Sequence, residues 1–286
     1  MTMVLMTMLT YILDAGGHDR NGDRVCMKRI LTFLVMALVA VIAVTSAYYY
    51  LTLQPSPFAK LGEMQVSKGE VGMLYLGYST FVLKTSQHTI IVDPAGKIST
   101  EAAKTLGRIS AILVTHEHSD HFDPGAATEL FRATDAVVVV NMGAYDSLKG
   151  LIQKAGKLVK LEPREKATID GIVIEAFIAN HSGSSPVMYA ISVENMTLFH
   201  GSDSGFSPSL EQLAGKVDLA ILPVGGASQT ASPLQALKMA ATLHPKKVIP
   251  VHGPSDQVSE LKRLLANSSI IIVEVQENNP QKVSVP

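Results

Sequence analysis

The chain of 286 residues carries 24 Lys and Arg against 25 Asp and Glu, a net charge of −1, with nine His and a single Cys. Near-neutrality excludes the electrostatic footprint of a nucleic-acid binder, and 47% hydrophobic against 17% charged residues excludes a disordered chain. The lone Cys26 excludes an intrachain disulfide and a thiolate zinc cluster, so a metal site here has to use imidazoles and carboxylates.

Residues 1–26 mix Met-rich apolar stretches with Gly16-Gly17 and Asn21-Gly22. They read as a disordered tail, or as residues upstream of a true start at Met27. From Ile30 to Leu53 no residue is charged. At ~1.5 Å per residue a helix of this length reaches about 36 Å, enough for a hydrocarbon core of about 30 Å. Lys28 and Arg29 precede it, and Tyr48, Tyr49 and Tyr50 lie near its other end. Positive charge favours the cytoplasmic side and tyrosine the interface. Segment 27–54 therefore predicts one transmembrane anchor, with all that follows extracytoplasmic. A signal segment cleaved near Thr45-Ser46-Ala47, giving a secreted product, and a buried core helix are the alternatives. Residues 55–69, opening on Pro55-Ser56-Pro57, read as a linker, and 70–286 as one globular domain.

In that domain β-rich segments are predicted at 71–76, 80–85 and 88–92, the last stopped by Asp93-Pro94. A helix at 99–107, the apolar strand 111–114, a helix at 124–132, a strand at 136–140 and a helix at 143–154 follow. Strands come next at 157–161, 166–170, 172–178, 187–193 and 196–200, with Asn195 at the last hairpin turn. A short helix at 208–214 leads to strand 218–222. Helix 232–243 has Ser232 as N-cap and Pro233 at its first position. Strand 247–251, a helix at 255–266 capped by Ser255, and a strand at 270–275 complete the pattern. Continuous apolar strands between helices, mixed with hairpins, predict an α/β four-layer αββα sandwich: two facing sheets with helices outside.

Strand 111–114 runs directly into Thr115-His116-Glu117-His118-Ser119-Asp120-His121. Four groups able to bind a divalent cation fall within six positions, and a loop at a strand end lets them converge, whereas a straight strand would send His116 and His118 to one face only. Imidazole and carboxylate suit Zn, Mn or Fe(II). Further candidates each follow an apolar run: His181 after 172–178, Asp203 after 196–200, and His252 after 247–251. Asp93, at another strand end, reads as a partner that orients a ligand histidine. His200 reads as structural, Glu117 as solvent-facing, and Gly225-Gly226 with Ser228 and Thr230 as a polar loop at the rim.

Together with Leu76-Gly77-Tyr78-Ser79-Thr80-Phe81, Ile91-Val92-Asp93-Pro94, Leu222-Pro223-Val224-Gly225-Gly226 and Val248-Ile249-Pro250-Val251-His252, these motifs resemble the metallo-β-lactamase superfamily. Within it the chain is most similar to the branch of metal-dependent hydrolases related to L-ascorbate-6-phosphate lactonase. The resemblance spans residues 71 to 253 and implies the metallo-β-lactamase fold and two divalent metal ions, zinc foremost, with Mn or Fe possible. His116, His118 and His181 would hold one ion and Asp120, His121 and His252 the other, with Asp203 bridging. It implies a metal-activated hydroxide acting on an ester, lactone or phosphoester, and Asp120 as the catalytic residue that orients the nucleophile or carries its proton. Tyr78 stands where relatives often have His, and Ser202-Asp203-Ser204 where Gly-Asp-Thr is usual. A phosphodiesterase of lipid or nucleotide substrates and a non-hydrolytic redox or sensor protein are the competing readings. The expected partners are a small-molecule or lipid substrate and a membrane, reached through the N-terminal helix; no nucleic acid is indicated.

Overall fold

A computed structural model describes residues 22–226 and 230–285; residues 1–21 of the expected tail, and Ser228, lie outside the described residues. The chain divides into two compact units between Gln54 and Pro55. In the first, helix α1 spans Gly22–Leu53, beginning a little before Met27. Its stretch Ile30–Tyr50 has a mean hydropathy of 2.6, and none of it is buried. That stretch is long and apolar enough to cross a bilayer.

The second unit opens with helix α2 (Pro57–Glu63), not with an extended linker. Ser56 caps it, its Oγ accepting from the Ala59 amide at 3.1 Å, and proline takes the first helical position. Leu61 and Phe58 anchor it on the apolar outer layer of the sandwich.

Strands β1 (Glu70–Tyr75), β2 (Phe81–Lys84), β3 (Thr89–Val92), β4 (Ala111–Val114), β5 (Val137–Val140) and β6 (Leu158–Lys160) form one sheet. A C-terminal strand, β14 (Gln281–Ser284), completes its seven strands in the order β14-β1-β2-β3-β4-β5-β6. The second seven-stranded sheet contains β7 (Lys166–Ile169), β8 (Ile172–Ile178), β9 (Val187–Val193), β10 (Met196–His200), β11 (Leu219–Pro223), β12 (Lys247–Val251) and β13 (Ile271–Ile272), ordered β13-β12-β11-β10-β9-β8-β7. Helices α3 (Thr100–Thr105), α4 (Pro124–Thr134) and α5 (Met142–Leu148) join α2 in covering the first sheet. A 3-10 turn (Pro208–Leu213), α6 (Pro233–Leu243) and α7 (Ser255–Leu265) cover the second.

The four layers follow from the period-2 alternation of a strand. On β4, Ala111 and Leu113 enter the core between the sheets, while Ile112 and Val114 enter the outer core beneath the helices. Both faces are buried, which is why the strand reads as an unbroken apolar run. Tyr189, Ile221 and Ile249 meet Phe81, Ile90 and Leu113 in the inner core.

Strand direction determines where the loops gather. β3, β4 and β5 are mutually parallel, so the segments after Val92, Val114 and Val140 leave the sheet at one edge. In the other sheet β10, β11 and β12 are parallel. β8 runs antiparallel to β9, and β9 to β10, so β8 points the same way as β10. The segments bearing His181, Asp203 and His252 therefore also leave from one edge.

Several details depart from the sequence pattern. Helix α5 ends at Leu148, ahead of Gly150, and is capped by Asn141, whose side chain accepts from the Ala144 amide. Ser255 is the first residue of α7 and not its cap; Pro254 holds that place with no side-chain bond. The strand expected at 270–275 is only Ile271–Ile272. β14, in which Val283 alone is buried, has too weak an apolar pattern to stand out in the sequence. The hairpin turn at Glu194 and Asn195 has positive φ at both residues (49° and 66°), the twist-matched geometry of a two-residue hairpin.

Leu113 is fully buried one turn of chain before the histidine cluster. Replacing it with Ala is expected to cost about 2–5 kcal/mol of stability, read by chemical denaturation of the purified chain.

Candidate metal centre

The strand-end loops bring all seven predicted ligands into two clusters, in each of which one atom per side chain lies within 4.8 Å of every other. The first contains His116, His118 and His181. His118 Nδ1 is 3.1 Å from His116 Nε2 and 3.2 Å from His181 Nε2. One imidazole nitrogen cannot hydrogen-bond well to two others at once in a dry site. Three nitrogens spaced in this way do match a tetrahedral cation, whose ligand atoms at ~2.0–2.1 Å from the metal stand about 3.3 Å apart.

The second cluster contains Asp120, His121, Asp203 and His252. Asp203 Oδ1 lies 3.1 Å from His121 Nε2 and 3.3 Å from His252 Nε2. Asp120 Oδ2 is 3.7 Å from each of the same two nitrogens. Both nitrogens are buried, yet neither has a hydrogen-bond partner. Buried polar atoms are rarely left so, and a cation between the imidazoles and carboxylates would satisfy both. The other oxygen of Asp203 lies 3.9 Å from His181 Nε2, so this one carboxylate reaches both clusters.

The supports behind these groups are as ordered as the groups themselves. Asp93 is fully buried, with Oδ1 accepting from the Thr115 amide and Oδ2 from the Thr115 hydroxyl, each at 2.8 Å. Its Oδ2 also receives His121 Nδ1 at 2.8 Å, which directs Nε2 into the cluster. Thr115 Oγ1 lies 3.0 Å from His116 Nδ1, and Ser202 Oγ donates to Thr115 Oγ1 at 2.8 Å. Ser202 sits in the left-handed region (φ 52°) where glycine is usual, and this hydroxyl bond holds it there. Ser204 Oγ accepts from the Asn180 amide at 2.8 Å, joining the Asp203 turn to the His181 segment. His200 is buried and neutral: burial lowers its pKa, Nε2–H donates to Ser79 O at 2.9 Å, and Nδ1 accepts from the Ser202 amide.

The electrostatics pair charge with charge. Burial, then the neighbouring His121, pushes His116 down to about 3, leaving it a neutral donor. Burial also depresses His121, but the Asp93 and Asp203 carboxylates outweigh it and raise His121 to about 10. Burial raises Asp203, yet contacts with His121 and His252 hold its carboxyl well below the usual carboxylate range. In the metal-free chain a proton on His121 thus occupies ground that a cation would take, and cation binding would displace it.

Glu117 departs from its expected solvent-facing position. Its Oε1 accepts from the Ser184 amide at 2.6 Å and its Oε2 from Asn141 Nδ2 at 3.1 Å. Asn141 also donates to Ser184 O at 2.9 Å. This clasp ties the loop of His116 and His118 to the segment just beyond His181. Asn141 and Ser184 went unnoticed in the sequence; the only hint was an Asn at the end of strand β5. Tyr78, also left-handed (φ 53°), sets its ring edge-on to His252 at 5.1 Å, with the Lys97 ammonium 4.6 Å over its face. Among the described loop residues at the rim, Thr230 lines the cavity over the clusters, as do Asp120 and Asp203.

Two substitutions probe these supports. Asp93→Asn is expected to lower metal affinity by about 10–100-fold, measured by competition with a chromogenic chelator. Glu117→Ala removes the acceptor of the Ser184 amide and one acceptor of Asn141 Nδ2, which keeps Ser184 O, and is expected to cost about 1 kcal/mol in denaturant unfolding.

Comparison with known proteins agrees with this architecture. A family profile described as "Beta-lactamase superfamily domain" matches residues 73–252. A UPF0173 metal-dependent hydrolase of Thermococcus kodakarensis is 30% identical over 221 residues, covering 71% of this chain and 96% of the relative. Another from Pyrococcus horikoshii is 29% identical over 222 residues, with the same coverage of 71% and 96%. The solved structure of a metallo hydrolase from the archaeon Ignicoccus hospitalis shares the fold with a TM-score of 0.64 at 22% identity, covering 75% of this chain and 98% of that one. Fold, profile and relatives together place the chain in the metallo-β-lactamase superfamily, among its metal-dependent hydrolases.

Proposed function

We propose that the chain is a membrane-anchored hydrolase that holds two divalent cations, zinc foremost, and cleaves an ester, lactone or phosphoester of a small-molecule or lipid substrate. His116, His118 and His181 hold one cation, and Asp120, His121 and His252 the other, with Asp203 shared. The observation that carries this reading is the pair of buried, unpartnered nitrogens, His121 Nε2 and His252 Nε2, that stand 3.1 and 3.3 Å from the same oxygen of Asp203. When bound, the cations polarise a substrate oxygen and bring the pKa of water from about 15.7 toward 7, so that a nucleophile exists at neutral pH.

The protein's own groups divide the remaining work. Asp93 holds the Nδ1 proton of His121 and so keeps its Nε2 free. Asp120, whose side chain is 36% exposed, faces the cavity. It is the carboxylate able to take the proton of the attacking water and return it to the leaving group. The anchor is α1: Lys28 and Arg29 before its apolar stretch favour an N-terminus in the cytoplasm and a catalytic domain outside.

Metal analysis of the purified chain is expected to give about two divalent ions per molecule, and chelation is expected to abolish hydrolysis. His118→Ala and Asp120→Ala are each expected to lower kcat/KM by at least about 100-fold on a substrate found by screening esters, lactones and phosphoesters. Full metal occupancy without turnover on that panel would defeat the hydrolytic reading. Protease accessibility of the domain in intact cells tests the orientation of the anchor.

A further inference from the structure

The cavity over the metal centre has a volume of about 690 Å³. Beyond the ligands, its wall consists of Ser119, Asn180, Ser182, Gly205, Thr230 and Gln235. Among the described residues this wall holds hydroxyls and carboxamides, with no aliphatic side chain larger than threonine, no phenyl or indole ring, and no Lys or Arg.

The two carboxamides stand together above Gly205. A Cβ built on Gly205 would lie 2.9 Å from Gln235 Oε1 and 3.1 Å from Asn180 Nδ2. A glycine there gives an acceptor and a donor room to reach the cavity side by side. Asn180 is fixed through its backbone: its amide donates to Ser204 Oγ at 2.8 Å and its carbonyl accepts from the Gly205 amide at 3.1 Å. Its side chain has one long contact, to Phe206 O at 3.5 Å. The Gln235 carboxamide has no partner among the described residues, and the buried Thr230 hydroxyl is likewise unpartnered. Lys97, a neighbouring cation, is already committed, donating to Gly77 O at 3.0 Å and lying over the Tyr78 ring.

We propose that this cavity selects a carboxylic ester or lactone whose remainder is uncharged and rich in hydroxyls, as in a carbohydrate-derived lactone, over an acyl chain, a nucleobase or a phosphorylated group. This rests on the hydrolase reading above and narrows its substrate class. Hydroxyls on the substrate pair with Asn180 Nδ2 and Gln235 Oε1. An alkyl chain strips the same groups of water and leaves them unpaired, which is the means by which a hydrogen-bonding site rejects an apolar analogue. A nucleobase finds no phenyl or indole ring in the described wall, and a further phosphate finds no Lys or Arg there.

The test compares kcat/KM of the full-length, metal-loaded chain on three probes: D-galactono-1,4-lactone, the alkyl-substituted γ-nonalactone, and bis(p-nitrophenyl) phosphate. The hydroxylated lactone is expected to be preferred over the alkyl lactone by at least about tenfold. In Asn180→Ala and Gln235→Ala that ratio is expected to fall by about five- to tenfold each, chiefly through KM. A ratio within one enzyme preparation cancels losses of folding or metal, which lower both rates alike. Preference for the alkyl lactone, or a ratio unchanged in both variants, would overturn the inference. Turnover of the phosphodiester with neither lactone cleaved would overturn it while leaving the hydrolase reading intact. Turnover of none of the three by fully loaded protein would count against both.

Discussion

The site depends on one buried carboxylate. Asp93 ends β3, has φ 48°, and is fully enclosed. A charge there is tolerable only with full compensation. The Thr115 amide, the Thr115 hydroxyl and His121 Nδ1 supply it, each at 2.8 Å. These three bonds join the end of β3 to the loop leaving β4, and they decide which nitrogen His121 presents inward. Local folding and ligand geometry are therefore set by the same contacts. In the metal-free chain a proton on His121, flanked by Asp93 and Asp203, offsets part of the buried charge. A cation in the candidate site would take over that part and would leave His121 Nε2 as an electron-pair donor.

Topology explains how residues so distant in sequence converge. A ligand set taken from a single loop would need a long irregular segment with its own unsatisfied backbone groups. Here each ligand loop hangs from an interior strand that has a paired neighbour on both sides. Strands β4, β8, β10 and β12 deliver one cluster member or group each at a sheet edge. The clasp of Glu117, Asn141 and Ser184 then links loops from the two sheets, and the Asn180 amide, donating to Ser204 Oγ, links two loops of the second sheet. The rigidity of two packed sheets is thereby passed to groups at their rim, which a metal site requires of its supporting contacts.

Strands with a sustained apolar pattern were legible from sequence, most of them buried on both faces, 172–178 with Val173 and Glu175 only half-buried. Strands 111–114, 172–178, 187–193, 196–200 and 247–251 have the same limits in sequence and structure. Elements that give the core one or two residues were not legible: α2 contributes mainly Leu61, and β14 mainly Val283. Their stability comes from the layer they touch, which a local pattern does not encode. In the site, the density of histidines in 115–121 is a local signal. The more distant His181, Asp203 and His252 became visible through their places after apolar strands and through family resemblance. Glu117 was misread because its partners lie far along the chain, and nothing in the neighbouring sequence distinguishes an acid that clasps a second loop from one that faces water.

Four non-glycine residues around the site share an unusual backbone state. Tyr78, Asp93, Ser202 and His252 all have φ between 48° and 55°. A left-handed residue with a Cβ costs roughly 1–2 kcal/mol, so each has to be held by its surroundings. Asp93 has its three acceptor bonds and Ser202 its hydroxyl bond to Thr115. The Tyr78 carbonyl accepts from the Tyr75 hydroxyl at 3.1 Å, and the Tyr78 ring leans on His252. The geometry gives the reason for the cost. A strand that simply continued would point successive side chains to opposite faces, whereas a left-handed residue at the strand end turns the chain sharply and lets neighbouring side chains aim into one volume. The strain is thus the means of convergence, and the hydroxyls, carboxylate and rings that offset it are the same groups that orient the ligands. That double use explains why serine at position 202 is compatible with a turn where glycine would be unstrained: the hydroxyl returns, through Thr115 and His116, part of what the Cβ takes away.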